Sequence, residues 1–123
     1  MKKEIAILGS TGSIGKSTLE IVRKDLNNFK VVLLTAKDNY NTLLKQAKEF
    51  KVKNILIYND KYFKYLKQKL KYKNVNIYSK NKKLNEIFNK KIDYTMCAIS
   101  GLDGLKPTLE AIEFSNTIRI ANK

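Results

Sequence analysis

The sequence reads as a doubly wound α/β domain, with a mainly parallel sheet as the middle of three layers. Three observations predict that class. Short apolar runs recur at residues 5–8, 29–34, 54–58, 75–78, 94–99 and 117–121, most of them continuous rather than alternating. That is the habit of strands buried on both faces, as parallel strands are. Amphipathic stretches with apolar residues at helical spacing fall between them. A glycine-rich turn joins the first apolar run to the first amphipathic stretch, in the setting where strand-to-helix turns bind anions.

The elements follow in order. Ile5-Ala6-Ile7-Leu8 is the first strand, and the glycine turn follows it directly. Residues 17–24 form the first helix, with Leu19 and Val22 inward and Leu26 one turn on. The second strand spans 29–34, and the helix at 41–50 places Leu43, Leu44, Ala47 and Phe50 on one face. After the strand at 54–58, Asp60 is the expected N-cap of a helix that turns Tyr62, Phe63, Leu66 and Leu70 inward. A short strand at 75–78, a short helix at 83–88 and a strand at 94–99 come next. Pro107 suits the first turn of a helix reaching Phe114, with Leu109, Ala111 and Ile112 inward, before the last strand at 117–121. Strand–helix alternation of this kind calls for right-handed crossovers, and residues 1–123 read as one domain.

Composition narrows the function. The chain has 123 residues, 43% of them hydrophobic, enough for a genuine core. No apolar run reaches the ~18 residues of a membrane span, and no secretory leader is legible at the start. Cys97 is the single cysteine and there is no histidine. An internal disulfide, a cysteine-based zinc cluster and a histidine-dependent triad are thereby excluded within these residues. Cys97 reads as a small apolar core residue, and the tyrosines as packing groups. A free thiol and the lack of a leader fit a cytoplasmic setting, as they would a processed organelle protein. The chain stops just after an apparent core strand, so it is expected to be a fragment, or a family's first domain, rather than a complete functional unit.

The net charge is +14, and Arg23 and Arg119 are the only arginines. A basic nucleic-acid-binding domain is one reading of that charge. Such surfaces usually enlist arginine for bidentate contacts. A chain rich in Lys, Asn, Ile and Tyr, which share A/T-rich codons, is better read as compositional bias.

The chemistry concentrates in Gly9-Ser10-Thr11-Gly12-Ser13-Ile14-Gly15-Lys16-Ser17-Thr18. Glycines let backbone N–H groups approach phosphate oxygens, and the helix start adds unpaired N–H groups and a positive dipole end. Thr11 and Ser13 add hydroxyls. Gly9, Gly12 and Gly15 fit G-x-x-G-x-x-G, a variant of the dinucleotide fingerprint of Rossmann-like domains. Gly15-Lys16-Ser17 also fits the end of a P-loop, but Ser10 stands where that motif needs its first glycine. No strand ends in the aspartate that would hold magnesium there, so the dinucleotide is favoured and a P-loop-like nucleotide-binding module is the alternative.

About 20 residues beyond the glycines, such domains read the cofactor's ribose. Here the segment is Ala36-Lys37-Asp38-Asn39. Lys37 suits a 2′-phosphate and so NADPH, whereas Asp38 points weakly the other way, and Asn39 suits a turn or a ribose contact. Ala98-Ile99-Ser100-Gly101-Leu102-Asp103-Gly104 and Ala121-Asn122-Lys123 also fall at carboxyl ends of strands. Ligands sit along that edge in open α/β sheets.

Together, three segments resemble the 1-deoxy-D-xylulose 5-phosphate reductoisomerase family. They are Gly9 to Gly15 with Ser17-Thr18-Leu19, Gly101-Leu102-Asp103-Gly104-Leu105-Lys106-Pro107-Thr108-Leu109 with Ala111-Ile112, and Ala121-Asn122-Lys123. The resemblance runs through the whole chain in order. It implies an NADPH-dependent enzyme of non-mevalonate isoprenoid biosynthesis, which isomerises and reduces 1-deoxy-D-xylulose 5-phosphate to 2-C-methyl-D-erythritol 4-phosphate. It also implies a divalent metal, magnesium or manganese, whose ligands lie beyond the family's counterpart of Lys123, and a homodimer. Neither catalytic nor metal-binding residues are then expected in this chain, which alone should not turn over substrate. By motif, Thr11, Gly12, Ser13 and Ile14 would hold the NADPH pyrophosphate. Ala36, Lys37, Asp38 and Asn39 would surround the adenosine ribose and its 2′-phosphate. Asn122 would reach the nicotinamide half, and Lys123 the substrate. The family usually shows Ala-Gly-basic-Asn after its second strand. Here the basic residue has moved one place and an acid stands where it was, which bears on the strength of the NADPH preference.

Overall fold

The computed structural model describes residues 2–99 and 115–120. The helix expected at 107–114, the Ser100–Gly104 turn and the closing Ala121-Asn122-Lys123 lie outside them. The described elements are β1 (Lys3–Leu8), α1 (Ser13–Arg23), β2 (Phe29–Ala36), α2 (Tyr40–Phe50) and β3 (Asn54–Ile57). After a 3-10 turn at Asp60–Tyr62 come α3 (Phe63–Lys69), β4 (Asn76–Tyr78), α4 (Leu84–Ile87), β5 (Ile92–Cys97) and β6 (Ser115–Ile120).

The strands form one six-stranded sheet in the order β4-β3-β2-β1-β5-β6. Every neighbouring pair is parallel, so the mainly parallel sheet expected is parallel throughout the described strands. The chain winds outward from β1 to β4, then returns across the sheet to place β5 on the other side of β1. With right-handed crossovers, that reversal puts helices on opposite faces. Leu19 and Val22 of α1, Leu43 and Ala47 of α2, and Leu66 of α3 pack together against Ile5, Ile7, Leu34, Ile55 and Ile57. Leu84 of α4 packs on the other face with Ala6, Leu8, Leu56 and Cys97. The continuous apolar runs of β1 and β3 are thus explained: alternate residues serve two different cores, while in β2 the consecutive Val32 and Leu33 share one core where the register with β1 shifts.

Local structure departs from the sequence reading in instructive places. Helix α1 begins at Ser13 rather than residue 17, because Gly15, a poor helix former in isolation, is buried within its first turns. The helix stops at Arg23, so Leu26 lies past it and is 46% exposed instead of inward. Asn59, not Asp60, caps the turn that leads into α3: its Oδ1 accepts from Lys61 N at 3.0 Å. Strand β2 extends two residues further than its apolar run, because Thr35 is buried with its hydroxyl paired to Gly9 N. Cys97 is buried in the second core, and Tyr40, Tyr62, Tyr72 and Tyr94 pack against the first, as expected. Tyr40 also stacks on Tyr62, ring centroids 4.4 Å apart.

Candidate functional site

The order reversal leaves the carboxyl ends of β1 and β5 side by side, with α1 departing from β1. A crevice at such a point is where α/β domains take ligands. Here it is a cavity of about 340 Å³, at the small end of the ~300–1,000 Å³ typical of ligand pockets. Gly9, Thr11 and Gly12 line it from the glycine turn, and Thr35, Ala36 and Lys37 from the end of β2. Tyr58 just beyond β3, and Ala98 and Ile99 just beyond β5, complete the wall.

The turn is built by its glycines and by hydrogen bonds to β2. Gly9 has φ +79°, a left-handed conformation that leaves side chains strained, and a Cβ there would stand 3.0 Å from Ile99 Cγ1. Its N–H points to Thr35, whose hydroxyl accepts at 2.9 Å and carbonyl at 3.1 Å. Ser10 N donates to the same carbonyl at 2.9 Å. Ser10 itself is fully buried, its hydroxyl donating to Gln46 Oε1 at 2.8 Å, while Gln46 Nε2 donates back to Ser10 O at 2.9 Å.

Gly12 differs from its neighbours. Its backbone is extended (φ −79°, ψ 176°), and a Cβ would meet nothing closer than Gly9 O at 3.8 Å. The chain itself therefore has room for a side chain at Gly12, and the lack of one keeps the cavity wall open. Gly12 is also the N-cap of α1, with no side-chain cap and no acidic residue in the first turn. A helix start left uncapped beside a cavity presents N–H groups and a positive dipole end to an anion. Ser13 and Ile14 are the first two residues of that helix.

At the other wall, Ala36 is buried and Lys37, Asp38 and Asn39 are exposed. Asn59 reaches across from β3: its Nδ2 donates to Asp38 Oδ1 at 2.7 Å and its N–H to Lys37 O at 2.9 Å. Asn39 caps α2, its Oδ1 accepting from Thr42 N at 3.2 Å. Thr11, Gly12, Ala36 and Lys37 thus meet around one cavity, with Ser13 and Ile14 at its helical rim. Asp38 and Asn39 follow Lys37 but do not line the cavity; they are tied to Asn59 and α2. Asn122 and Lys123 lie outside the described residues. Lys16, the P-loop's signature residue, is exposed on α1 and is not part of the cavity wall. Among the described residues no three His, Cys, Asp or Glu side chains gather as a metal site.

Sequence reasoning missed Tyr58, Thr35 and Gln46. Tyr58 was detectable, since it ends an apolar run at the sheet edge where ligands sit. Thr35 and Gln46 carry a weaker signal, each a polar residue in a buried stretch.

An all-parallel sheet, a reversal in strand order and a three-glycine turn opening a helix at that reversal define the dinucleotide-binding class of α/β domain. The chain belongs to the 1-deoxy-D-xylulose 5-phosphate reductoisomerase family, whose sequence profile matches residues 5–123. It is 53% identical over 123 residues to the 1-deoxy-D-xylulose 5-phosphate reductoisomerase of Pelagibacter ubique, covering 98% of this chain and 32% of that protein. The reductoisomerase of Porphyromonas gingivalis is 38% identical over 124 residues, covering 100% of this chain and 32% of that protein. Among solved structures, the Zymomonas mobilis reductoisomerase in complex with NADPH superposes with a TM-score of 0.89 at 35% identity, covering 99% of this chain and 32% of that one. A reductoisomerase in complex with NADPH, fosmidomycin and magnesium gives 0.85 at 35% identity, covering 98% of this chain and 30% of that one. The chain spans about a third of the length of the curated relatives it matches.

Proposed function

We propose that residues 1–123 are the NADPH-binding domain of an enzyme that isomerises and reduces 1-deoxy-D-xylulose 5-phosphate to 2-C-methyl-D-erythritol 4-phosphate. The observation that carries this reading is Gly12, a helix cap without a side chain although one would fit, beside a cavity at the strand-order reversal. The cradle fits a dinucleotide pyrophosphate: Thr11, Gly12, Ser13 and Ile14 supply N–H groups and hydroxyls, and no carboxylate opposes them in the first turn. Lys37 supplies the charge for the adenosine 2′-phosphate, in a wall shared with Ala36. Asp38 and Asn39 stand at the same edge, and Asn59 holds the Asp38 carboxylate. Asn122 would reach the nicotinamide half and Lys123 the substrate.

When bound, NADPH supplies the hydride that reduces the rearranged substrate. This chain's part is to grip the cofactor by its phosphates and fix its direction along the sheet edge. The divalent metal of the whole enzyme, magnesium or manganese, is proposed to be held by residues beyond these 123. The same reading makes the whole enzyme a cytoplasmic homodimer acting on a small phosphorylated sugar, with neither nucleic acid nor membrane as partner. The P-loop alternative loses ground because Lys16 stands off the cavity and Ser10, buried and doubly paired, replaces the motif's first glycine.

The test is an NADPH titration of the chain beside its Gly12→Asp variant. Saturable binding by the first and none by the second is expected. Equal affinities would contradict the placement of the pyrophosphate.

A further inference from the structure

We propose that Gln46, a residue outside the cavity wall, is a positioning residue for the dinucleotide pyrophosphate, acting through Ser10. The inference rests on the NADPH reading above and adds to it how the cradle is kept in shape.

Gln46 lies on the inward face of α2, 8% exposed, in line with the fully buried Leu43 and Ala47. A polar amide at such a position costs desolvation unless both of its halves are paired. Both are paired, and to the same residue 36 positions away: Oε1 accepts from Ser10 Oγ at 2.8 Å and Nε2 donates to Ser10 O at 2.9 Å. An apolar side chain of similar size would fill the space without that requirement, so the pair marks a demand for orientation rather than for burial alone.

What it orients follows from peptide geometry. The Ser10 carbonyl and the Thr11 N–H belong to one planar peptide unit, which is trans. In a trans unit the C=O and N–H vectors point in opposite directions. By drawing the Ser10 carbonyl toward α2 and the interior, Gln46 turns the Thr11 N–H away from the interior, on the residue that lines the cavity beside Gly9 and Gly12. Thr35 fixes the two preceding amides, of Gly9 and Ser10, which point inward. Among the described contacts, the one side chain holding the Ser10–Thr11 peptide is Gln46. The anchor is thus set before a ligand arrives, and the binding free energy is not spent on ordering the turn.

The experiment compares the chain with its Gln46→Met and Ser10→Ala variants by titration with NADPH, NADH and adenosine 2′-monophosphate. The last carries the 2′-phosphate and adenine but no pyrophosphate. Gln46→Met is expected to weaken NADPH and NADH by the same factor, roughly tenfold, and to leave adenosine 2′-monophosphate unchanged. Ser10→Ala keeps the bond from Gln46 to the Ser10 carbonyl and is expected to lose less than Gln46→Met, with the same selectivity. It carries the test should Gln46→Met fail to fold. Unchanged NADPH affinity in both variants overturns the proposal, as does an equal loss for adenosine 2′-monophosphate, which would make Gln46 a prop of the fold. Failure of the unsubstituted chain to bind NADPH would instead overturn the reading of the site, and this proposal with it.

Discussion

Gly15 lies directly against Gly9: a Cβ placed on Gly15 would stand 2.5 Å from the Gly9 carbonyl oxygen and 2.5 Å from Ser10 Cα. The contact is backbone on backbone, so no side-chain rotation relieves it. The first turn of α1 is seated on the glycine turn, and the third glycine of the motif is what allows this. Gly15→Ala should therefore push helix and turn apart and cost roughly 1–3 kcal/mol, typical of overpacking. Urea unfolding measures it, and an unchanged midpoint would contradict the close approach.

Gly12 predicts the reverse pattern. Its extended backbone suits any residue, and it caps α1 without a side-chain hydrogen bond. Aspartate is a better N-cap than glycine by a few tenths of a kcal/mol. Gly12→Asp should thus leave stability unchanged or slightly raised while NADPH binding is lost. A variant that unfolds would show that Gly12 serves the fold rather than the ligand, and one that binds normally would contradict the placement of the pyrophosphate.

Lys37 and Lys16 separate two readings of the basic residues near the turn. Lys37→Ala should narrow the ratio of NADPH to NADH affinity by about tenfold, the worth of a charge-assisted contact to phosphate. Lys16→Ala should leave NADPH affinity as it was, because Lys16 stands off the cavity wall. Competition titrations of both variants check this; an unaltered ratio would remove Lys37 from the 2′-phosphate, and a large loss with Lys16→Ala would revive the P-loop.

Tyr72 links stability to pH. It is half-buried, its hydroxyl donates to Val52 O at 2.5 Å, and burial pushes its pKa up from 10.0 to about 12. Since the folded value is the higher one, the phenol's contribution is complete below about pH 10. It is lost as pH rises through about 12, where the folded state must also ionise. Because Tyr72 is only partly buried, the effect is modest. The stability gap between the chain and Tyr72→Phe should therefore narrow between about pH 10 and about pH 12 in denaturant titrations. A constant gap would show that the phenol ionises alike in both states.

Much of this was legible in the residues. Ile5 to Leu8 and Asn54 to Ile57 announce buried strands because both sheet faces are covered, and Gly9, Gly12 and Gly15 mark the turn by spacing alone. What escaped depends on tertiary pairing. Gln46 looks like any helix polar residue until Ser10 is brought beneath it, and Thr35 ends an apolar run without revealing that its hydroxyl holds Gly9. Leu26 has the right period for the α1 face, yet the helix stops at Arg23, whose guanidinium pairs with Glu20 and Glu49. Asn39 reads as a turn residue before it reads as a ligand, and its oxygen caps α2.

The most direct measurement of the central claim is a titration of the chain with NADPH, followed by the cofactor's own fluorescence at about 150 mM salt without magnesium, with NADH and ATP as competitors. Saturable binding that NADH displaces weakly and ATP displaces poorly is the predicted result. Displacement by ATP at concentrations comparable to NADPH itself would contradict the dinucleotide assignment of the glycine turn.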